Sequence, residues 1–380
     1  MKRKENIKIF AASSMLNDLG ADAIKPFWPS FVTSVLGAPA YVLGILDGLG
    51  EAISYGIRWP AGYFADKIKR KKHMVWFGYL MAGFARIGYS ISKTVGLLFP
   101  FKAIDRLGKL RDPPRDSMLA EASGKERGKA FGLVNAADNV GAMLAPLFGL
   151  LLFTFFGYRI TFAIAAIPSI ISAFLIFFFI KEKKGKHKSI FKNKNKQNFS
   201  KEFKKYLVFN SIFGLSWISI SFMLLFAGIK NVDITFFPIF LFIVSFFSVI
   251  SSYVFGKISD KFGRKKTLAL CYGIYSLMLF GFFCFYFFSL QKFLILFLLF
   301  CLYGISFGSI TTLQPALAID LAEHKKAEAS GIVAMFFGFS ALLASTIAGF
   351  LWTISPALPF CISAFLAIIS AILLLSLKHK

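Results

Sequence analysis

Long apolar runs alternate with short polar stretches along the whole chain, and each run is about as long as a helix that crosses a membrane. About 20 apolar residues in a helix cross the roughly 30 Å of hydrocarbon in a bilayer. Windows of this length predict twelve spans, near residues 8–35, 39–65, 72–92, 95–111, 128–155, 159–181, 204–228, 232–259, 265–288, 292–313, 327–353 and 357–377. The fourth has the weakest pattern, because Pro100, Lys102, Asp105 and Arg106 interrupt it. The pattern predicts an all-α membrane protein with twelve transmembrane helices.

Composition supports a membrane protein and argues against several kinds of site. Hydrophobic residues make up 57% of the 380 positions, whereas an ordinary soluble domain is about half apolar. The cysteines lie apart within apolar spans of the second half, so neither disulfides nor a metal site is expected. The chain also lacks the G-x-x-x-x-G-K-[ST] loop that holds ATP phosphates and any close cluster of His and Cys. We therefore expect neither an enzyme nor an ATP-driven pump.

The basic residues are distributed very unevenly between the predicted loops. Of 44 Lys and Arg, 35 lie at the two ends and in the even-numbered loops, and the odd-numbered loops hold only Lys93, Arg159, Lys230 and Lys292. Because Lys and Arg accumulate in cytoplasmic loops, this split predicts a multi-pass protein of the plasma (inner) membrane with both termini in the cytoplasm. The lipid bilayer accounts for the formal net charge of +25, and no nucleic-acid partner is expected.

Two sequence repeats indicate an internal duplication. The segment GYFADKIKRKKHM at 62–74 matches GKISDKFGRKKTL at 256–268, and each copy lies where the second apolar run of its half ends. Between the sixth and seventh spans, 11 of the 25 residues at 181–205 are Lys, a composition typical of a solvated linker. We predict a six-helix half at 1–181, a basic cytoplasmic linker at 182–203 and a second half at 204–380.

The repeated segment resembles a signature of the major facilitator superfamily. GKISDKFGRKKTL fits the family's loop pattern G-x-L-a-D-r-x-G-r-k, and the first copy fits it apart from Lys69. The segment at 105–149 is similar to a bacterial and archaeal branch of that superfamily, often described as efflux permeases. The resemblance implies a fold of two six-helix repeats and transport by alternating access about a central site. It also implies a monomer, and a proton gradient rather than a bound cofactor as the energy source.

The same resemblance assigns a role to the signature. In the family its acid is thought to latch the cytoplasmic gate, which implies this role for Asp66 and Asp260. Independently, glycine allows close helix packing, and an acid at a helix end can lie against the positive N-terminus of a neighbouring helix. The alternative is a signature that only anchors the topology. The residues of this gate signature are Gly62, Asp66, Arg106, Gly256, Asp260, Gly263 and Arg264.

Eleven ionisable residues lie in the interiors of the first-half spans, whereas the interiors of the second-half spans hold none, because Asp320 lies beyond the tenth span. At about 2.5–3.5 kcal/mol for each charge near the bilayer centre, exposing all of them to lipid would cost on the order of 30 kcal/mol, more than a typical folding free energy of about 5–15 kcal/mol. They must therefore pair or face water. As a set, we expect these residues to line a transport pathway. The alternative is a set of buried pairs that only hold helices in register. The candidates for proton coupling and translocation are Asp18, Asp22, Asp47, Glu51, Arg58, Arg86 and Asp138.

Spacing places several of these residues on common helix faces. At about 100° per residue, Asp47, Glu51, Ser54 and Arg58 share one face of the second span. The segment GAMLAPLFG at 141–149 resembles the glycine-and-proline motif of proton-coupled antiporters. The substrate cavity is expected to include Asn135, Asn139, Trp217, Phe222 and Gln314.

The sequence thus favours a secondary transporter that exports a small organic compound by proton coupling. Uptake of an organic anion or another metabolite, by symport or uniport, is the alternative within transport. A membrane receptor that transports nothing is the alternative from another class of protein.

Overall fold

The computed structural model describes residues 2–58, 60–62, 71–123, 126–180, 182, 199–287, 292–322 and 326–377, and every regular element within these ranges is helical. We number the main helices α1 (Lys2–Ala23), α2 (Ala40–Gly56), α3 (Lys71–Ile91), α4 (Leu98–Leu107), α5 (Asp112–Ser123), α6 (Arg127–Phe179), α7 (Lys201–Ser216), α8 (Ile220–Ile229), α9 (Phe237–Phe262), α10 (Arg264–Phe287), α11 (Lys292–Leu321), α12 (Lys326–Ile354) and α13 (Leu358–Leu375). Each of the twelve predicted spans contains a helix or part of one, and the all-α prediction is confirmed.

The first and seventh predicted spans are interrupted helices. Helix α1 ends at Ala23, and helical structure resumes with one turn at Trp28–Ser30 and a π-helical turn at Phe31–Val35. Helices α7 and α8 are separated by residues 217–219, where the Ser219 side chain accepts a hydrogen bond from the backbone of Ser221 and so caps α8. These breaks leave backbone groups at mid-span that side chains can contact.

Helix α6 holds the fifth and sixth predicted spans in one 53-residue element. Its two arms meet at Gly157, where the backbone turns with φ of 66° and ψ of −169°. Only glycine adopts this conformation without strain. Pro146 and Pro168 lie inside the arms, and the helix continues through both.

Among the described residues, seven helical stretches are long and apolar enough to cross a membrane by length and composition alone. They cover α6 to α13, with α7 and α8 counted as one stretch. Helices α1 to α4 do not meet both conditions, because they are shorter or carry polar and ionisable residues.

The chain packs as two compact units, residues 1–31 with 53–195 and residues 32–52 with 196–380. In the first unit α1 lies along α6, and α6 also packs against α3. In the second unit the main contacts join α9 to α11 and α10 to α13. Much of the predicted linker, residues 183–198, lies outside the described residues, and the boundaries predicted for the two halves and the linker remain predictions.

Candidate functional site

Glycines let α1 and α6 pack with their backbones in close contact. A side chain at Gly141 would collide with the carbonyl oxygen of Met15, and one at Gly149 with that of Ala23. Both glycines belong to the GAMLAPLFG segment, and small residues of this kind allow membrane helices to approach closely. Asp138 lies less than one turn before Gly141, so the close packing brings its carboxylate beside Ser14 of α1.

A continuous chain of hydrogen bonds joins α3 to Asp18. Arg86 is only 1% exposed, and its Nη1 donates to Oγ of Ser169 and, at 3.3 Å, to the carbonyl oxygen of Ala165. The Ser169 hydroxyl donates to Oδ1 of Asn17 at 2.9 Å. Nδ2 of Asn17 then donates to Oδ1 of Asp18 at 3.0 Å. The donors all point toward the carboxylate, so two neutral side chains link the buried guanidinium to Asp18.

Asp138 lies beside a second arginine. Nη1 of Arg115 is 3.9 Å from Oδ2 of Asp138 and donates to Oγ of Ser14 at 2.7 Å, while its Nε donates to Asp116 at 3.1 Å. The other Asp138 oxygen, Oδ1, is buried and has no hydrogen-bond partner among the described residues. Asp18 lies within electrostatic range of Asp138. The site therefore holds two neighbouring carboxylates, Asp18 and Asp138, and one oxygen of Asp138 accepts no hydrogen bond from the described residues.

Two ion pairs in the first unit join residues close together in sequence. Nζ of Lys25 lies 2.7 Å from Oδ1 of Asp22, one turn away. Nε of Arg106 lies 3.4 Å from Oδ2 of the adjacent Asp105. Both agree with the alternative of charges held in structural pairs.

Two further cations lie over aromatic rings. Nζ of Lys102, which is buried, is 4.2 Å from the centre of the Trp28 ring. Cζ of Arg58 is 5.4 Å from the centre of the Tyr55 ring, and Arg58 is exposed. Such cation–π contacts are favourable when the cation is partly desolvated.

Helix α5 carries two carboxylates just outside the predicted spans, and their surroundings differ. Burial opposes ionisation of Asp112, but the positive charges of Arg111, Arg115 and Arg58 outweigh it, so the pKa of this carboxyl lies below its ordinary value. Burial raises the pKa of Asp116 above its ordinary value, although the Arg115 guanidinium partly offsets the effect.

The acids of α2 lie in a different environment. Oδ2 of Asp47 accepts a 2.7 Å hydrogen bond from Oγ of Ser219, in the break between α7 and α8. Gly44 and Gly48 flank Asp47 on α2, and side chains at these positions would collide with the backbone of α12 at Ser345 and Leu342. These close contacts with α12 explain why residues 32–52 belong to the second unit. Glu51, one turn beyond Asp47, is half-buried on the same helix.

Two of the predicted cavity residues form part of an aromatic and hydrogen-bonded cluster in the second unit. Trp217 is 8% exposed and stacks on Tyr275 with ring centres 5.2 Å apart. Gln314, also 8% exposed, donates from Nε2 to the Tyr272 hydroxyl at 3.0 Å, and this hydroxyl donates to Asn210 at 3.2 Å. These two hydrogen bonds fix the orientation of the Tyr272 ring.

The other predicted cavity residues lie elsewhere. Phe222 is fully buried, with its ring centre 5.5 Å from that of Trp352, so it packs in the interior of the second unit. Asn135 and Asn139 are exposed on α6 of the first unit, one turn apart on either side of Asp138.

The gate signature is described mainly in its second copy. Gly263 ends α9 with φ of 90°, a conformation that favours glycine. Asp260 has 73% of its side chain exposed and lies 3.9 Å from Nη2 of Arg264, whereas Nη1 of Arg264 lies 2.7 Å from Asp320. Arg264 thus binds Asp320 more closely than the signature acid.

The glycines that begin the two copies have open surroundings in the part of the chain that the structure describes. An added Cβ at Gly256 would meet no described atom within 4 Å, and one at Gly62 would only touch Pro113 at 3.9 Å. Among the described residues, no other helix therefore packs closely on either glycine. Asp66 lies outside the described residues, so its expected role remains a prediction.

Sequence reasoning missed the neutral members of the site. Ser14, Asn17, Ser169 and Ser219 bind the charged groups directly. A detectable signal was the series Ser13, Asn17 and Gly20, small or polar residues at helical spacing on the face of α1 next to the one that carries Asp18. Within the part of the chain that the structure describes, no group of three or more His, Cys, Asp or Glu is placed to hold a metal ion.

Comparisons with known proteins agree with this architecture. The family model of the Major Facilitator Superfamily matches residues 10–322 and 230–380. An uncharacterized MFS-type transporter of Methanocaldococcus jannaschii is 35% identical over 98% of this chain and 94% of its own length. Multidrug resistance protein 2 of Bacillus subtilis is 25% identical over 95% of this chain and 92% of its own.

Solved structures show the same fold at low identity. The nucleoside transporter NupG superposes with a TM-score of 0.80 at 13% identity, over 99% of this chain and all of its own. The peptide transporter POT in complex with sulfate gives a TM-score of 0.77 at 14% identity, over 98% of this chain and 94% of its own. With the helical fold and the family model in agreement, the chain belongs to the major facilitator superfamily of multi-pass membrane transporters.

Proposed function

We propose that this transporter exports a small organic compound and uses the proton gradient to drive it. The observation that carries the proposal is the pair of neighbouring carboxylates, Asp18 and Asp138, inside the first unit. Oδ1 of Asp138 is buried without a hydrogen-bond partner among the described residues. A carboxylate oxygen in that position gains a proton at less cost than one that already accepts hydrogen bonds.

Packing alone is a poor explanation for these charges. A buried ion pair is often no more stabilising than hydrophobic residues of the same volume. Pairs such as Lys25–Asp22 satisfy each other locally, whereas Asp138 lies 3.9 Å from Arg115 with one oxygen unfilled. A nearby arginine favours the charged form of the Asp138 carboxylate, whereas burial beside a second acid favours the protonated form. A change of solvent access during transport can therefore make this carboxylate bind or release a proton.

Relatives support export over uptake. The Bacillus subtilis protein similar over nearly the whole chain is named a multidrug resistance protein. Multidrug resistance protein MdtH of Shigella dysenteriae is 32% identical over 36% of this chain and 34% of its own length. The proposal includes a location in the cell membrane with cytoplasmic termini, a monomeric state and no bound cofactor.

Coupling is tested in energised inverted vesicles, with compounds that stabilise the detergent-solubilised protein against heat as the probes. Adding such a compound should release protons from the lumen. Asp138→Asn, Asp18→Asn, Asp47→Asn and Glu51→Gln are compared with Asp233→Asn, a control in an exposed turn. At least one interior variant should lose pH-driven flux and still bind the compound. Full flux in all of them would refute proton antiport through these acids.

The same vesicles distinguish the other transport directions. Uptake of an organic anion would move the probe out of inverted vesicles and not into them. A receptor would bind the probe and move none of it in either direction.

Orientation is tested by cysteine labelling in a variant from which the four native cysteines are removed. A cysteine at Asn195 should resist a membrane-impermeant thiol reagent in intact cells, and one at Asn231 should react. The reverse pattern would contradict the orientation read from the Lys and Arg distribution.

A further inference from the structure

We infer that Asn17 and Ser169 are positioning residues that link buried Arg86 to Asp18 and thereby set the proton affinity of Asp18. The inference rests on the proposed function, in which Asp18 is one of the acids that exchange protons. It adds two neutral residues, on α1 and α6, and a defined hydrogen-bond path between them.

The direction of each hydrogen bond carries the argument. Arg86 can only donate, so the hydroxyl oxygen of Ser169 must accept from it. The Ser169 proton is then directed to Oδ1 of Asn17 at 2.9 Å. This fixes the Asn17 amide so that its Nδ2 donates to Asp18 at 3.0 Å. Each bond polarises the next, so the carboxylate receives a donor strengthened by a cation that it does not touch.

The path is enclosed. Ser169 and Asn17 are 0% and 2% exposed, and Arg86 is 1% exposed, so water does not compete for these groups. A Cβ at Gly20 would come within 2.8 Å of Nη1 of Arg86, so the glycine leaves room for the guanidinium between α1 and α6. In a low-dielectric interior, a hydrogen bond is stronger than the same bond in water.

Other charges act on Asp18 from every side of its surroundings. Asp22 lies on α1 itself, Asp138 on α6 and Arg111 in the turn before α5. Arg86 acts from α3. Like charges favour a protonated carboxyl, and donors and cations favour an ionised one. The Arg86 path opposes the neighbouring acids, so removing one link in it should make Asp18 hold its proton to higher pH.

The test uses the full chain in nanodiscs of a neutral phosphatidylcholine and needs no substrate. Infrared difference spectra over a pH titration follow the C=O band of protonated carboxyl groups, and the part lost in Asp18→Asn identifies Asp18. Ser169→Ala should raise the proton affinity of Asp18 about three- to tenfold, the range expected for loss of one hydrogen bond between neutral groups, because Ser169 acts on Asp18 only through Asn17. Ser169→Thr, which keeps the hydroxyl, should restore the wild-type midpoint.

Ser172→Ala is the matched control. Ser172 is equally buried, one turn further along α6, and its hydroxyl donates to α1 at the carbonyl of Ser13, at 2.7 Å, outside the path. Its loss should leave the Asp18 midpoint unchanged. If Ser169→Ala does not fold, Ser169→Cys keeps the volume, weakens the link and should shift the midpoint in the same direction.

The inference is overturned if Ser169→Ala and Ser169→Cys leave the midpoint unchanged, if Ser172→Ala shifts it equally, or if no Asp18 band titrates. Flux measurements decide the proposed function separately. Suppose that the Asp18 midpoint depends on Ser169 but that flux does not depend on the pH gradient. This result would refute proton coupling and support the hydrogen-bond path.

Discussion

The Ser219 hydroxyl donates a 2.7 Å hydrogen bond to Oδ2 of Asp47, and the two residues are 172 positions apart in sequence. The same Oγ accepts from the backbone of Ser221 at 3.2 Å and caps α8. One small side chain therefore stabilises both a helix start in the interrupted seventh span and a carboxylate on α2.

Ser219→Ala should destabilise the protein through both losses, about 0.5–2 kcal/mol for the cap and about 1.5–3 kcal/mol for the bond to a charged group. Ser216→Ala is the control, because that hydroxyl donates only within α7, to the Phe213 carbonyl at 2.6 Å. Thermal unfolding in detergent should show a larger decrease for Ser219→Ala. In a double-mutant cycle with Asp47→Ala, which removes both acceptor oxygens, additive effects would show that the bond contributes nothing.

Gly44 permits the close approach of α2 to α12. Gly44→Ala would place a methyl group against the Ser345 carbonyl, whereas the same change at Gly56, on the same helix, meets no described atom within 4 Å. The first substitution should lower the unfolding temperature by several degrees, because backbone cannot move aside as a flexible side chain can. The second should leave it unchanged or raise it slightly, since alanine favours helix over glycine. Equal effects would contradict the packing described for α2.

Asp320, rather than Asp260, should be the acid that matters for Arg264. Nη1 of Arg264 lies 2.7 Å from Asp320 and donates to the Ala316 carbonyl at 3.1 Å, while Asp260 is 3.9 Å away and largely exposed. Exposed pairs contribute about 0–1 kcal/mol. We expect Asp320→Asn to increase the rate at which thiol reagents reach a cysteine at Ala316, and Asp260→Asn to change it less. A larger effect of Asp260→Asn would favour the latch role that the signature implies.

Asp112 and Asp116 should give opposite pH dependences of stability. The pKa of Asp112 lies below its ordinary value of 3.8, so its ionised form stabilises the fold above that pH, and this contribution is lost as the pH falls through the lower folded-state pKa. Asp112→Asn should therefore unfold at lower temperature than wild type at neutral pH, and the difference should shrink in acid.

For Asp116 the sign is reversed. Burial raises its pKa, so the ionised form is less favourable in the folded protein than in the unfolded chain. Asp116→Asn should be as stable as wild type or more stable at neutral pH, with no gain in acid. Parallel curves for the two variants would contradict the environments described for α5.

Much of this fold could be read from the sequence because each span must satisfy the membrane by itself. Hydrocarbon forces every spanning segment into a helix of sufficient length, so span positions and the all-α class followed from apolar runs alone. The break at Gly157 fell between two predicted spans for the same reason. The interruption at residues 217–219 was not predicted, because the apolar run continues across it and its hydrogen bonds come from distant residues.

The sequence by itself determined that the first half carries buried charge and that the chain belongs to the superfamily shown by its repeated signature. Only the tertiary structure decided which charges meet. Asp22 pairs with Lys25, three residues further along the chain, whereas Asp18 is joined to Arg86 through Ser169, 152 residues from Asn17. Helical periodicity fixes the face on which a residue lies but not the neighbour that this face meets. That choice depends on where glycines such as Gly20, Gly141 and Gly149 let α1 and α6 approach, because the distance between two backbones decides whether a short Ser or Asn side chain can bridge them.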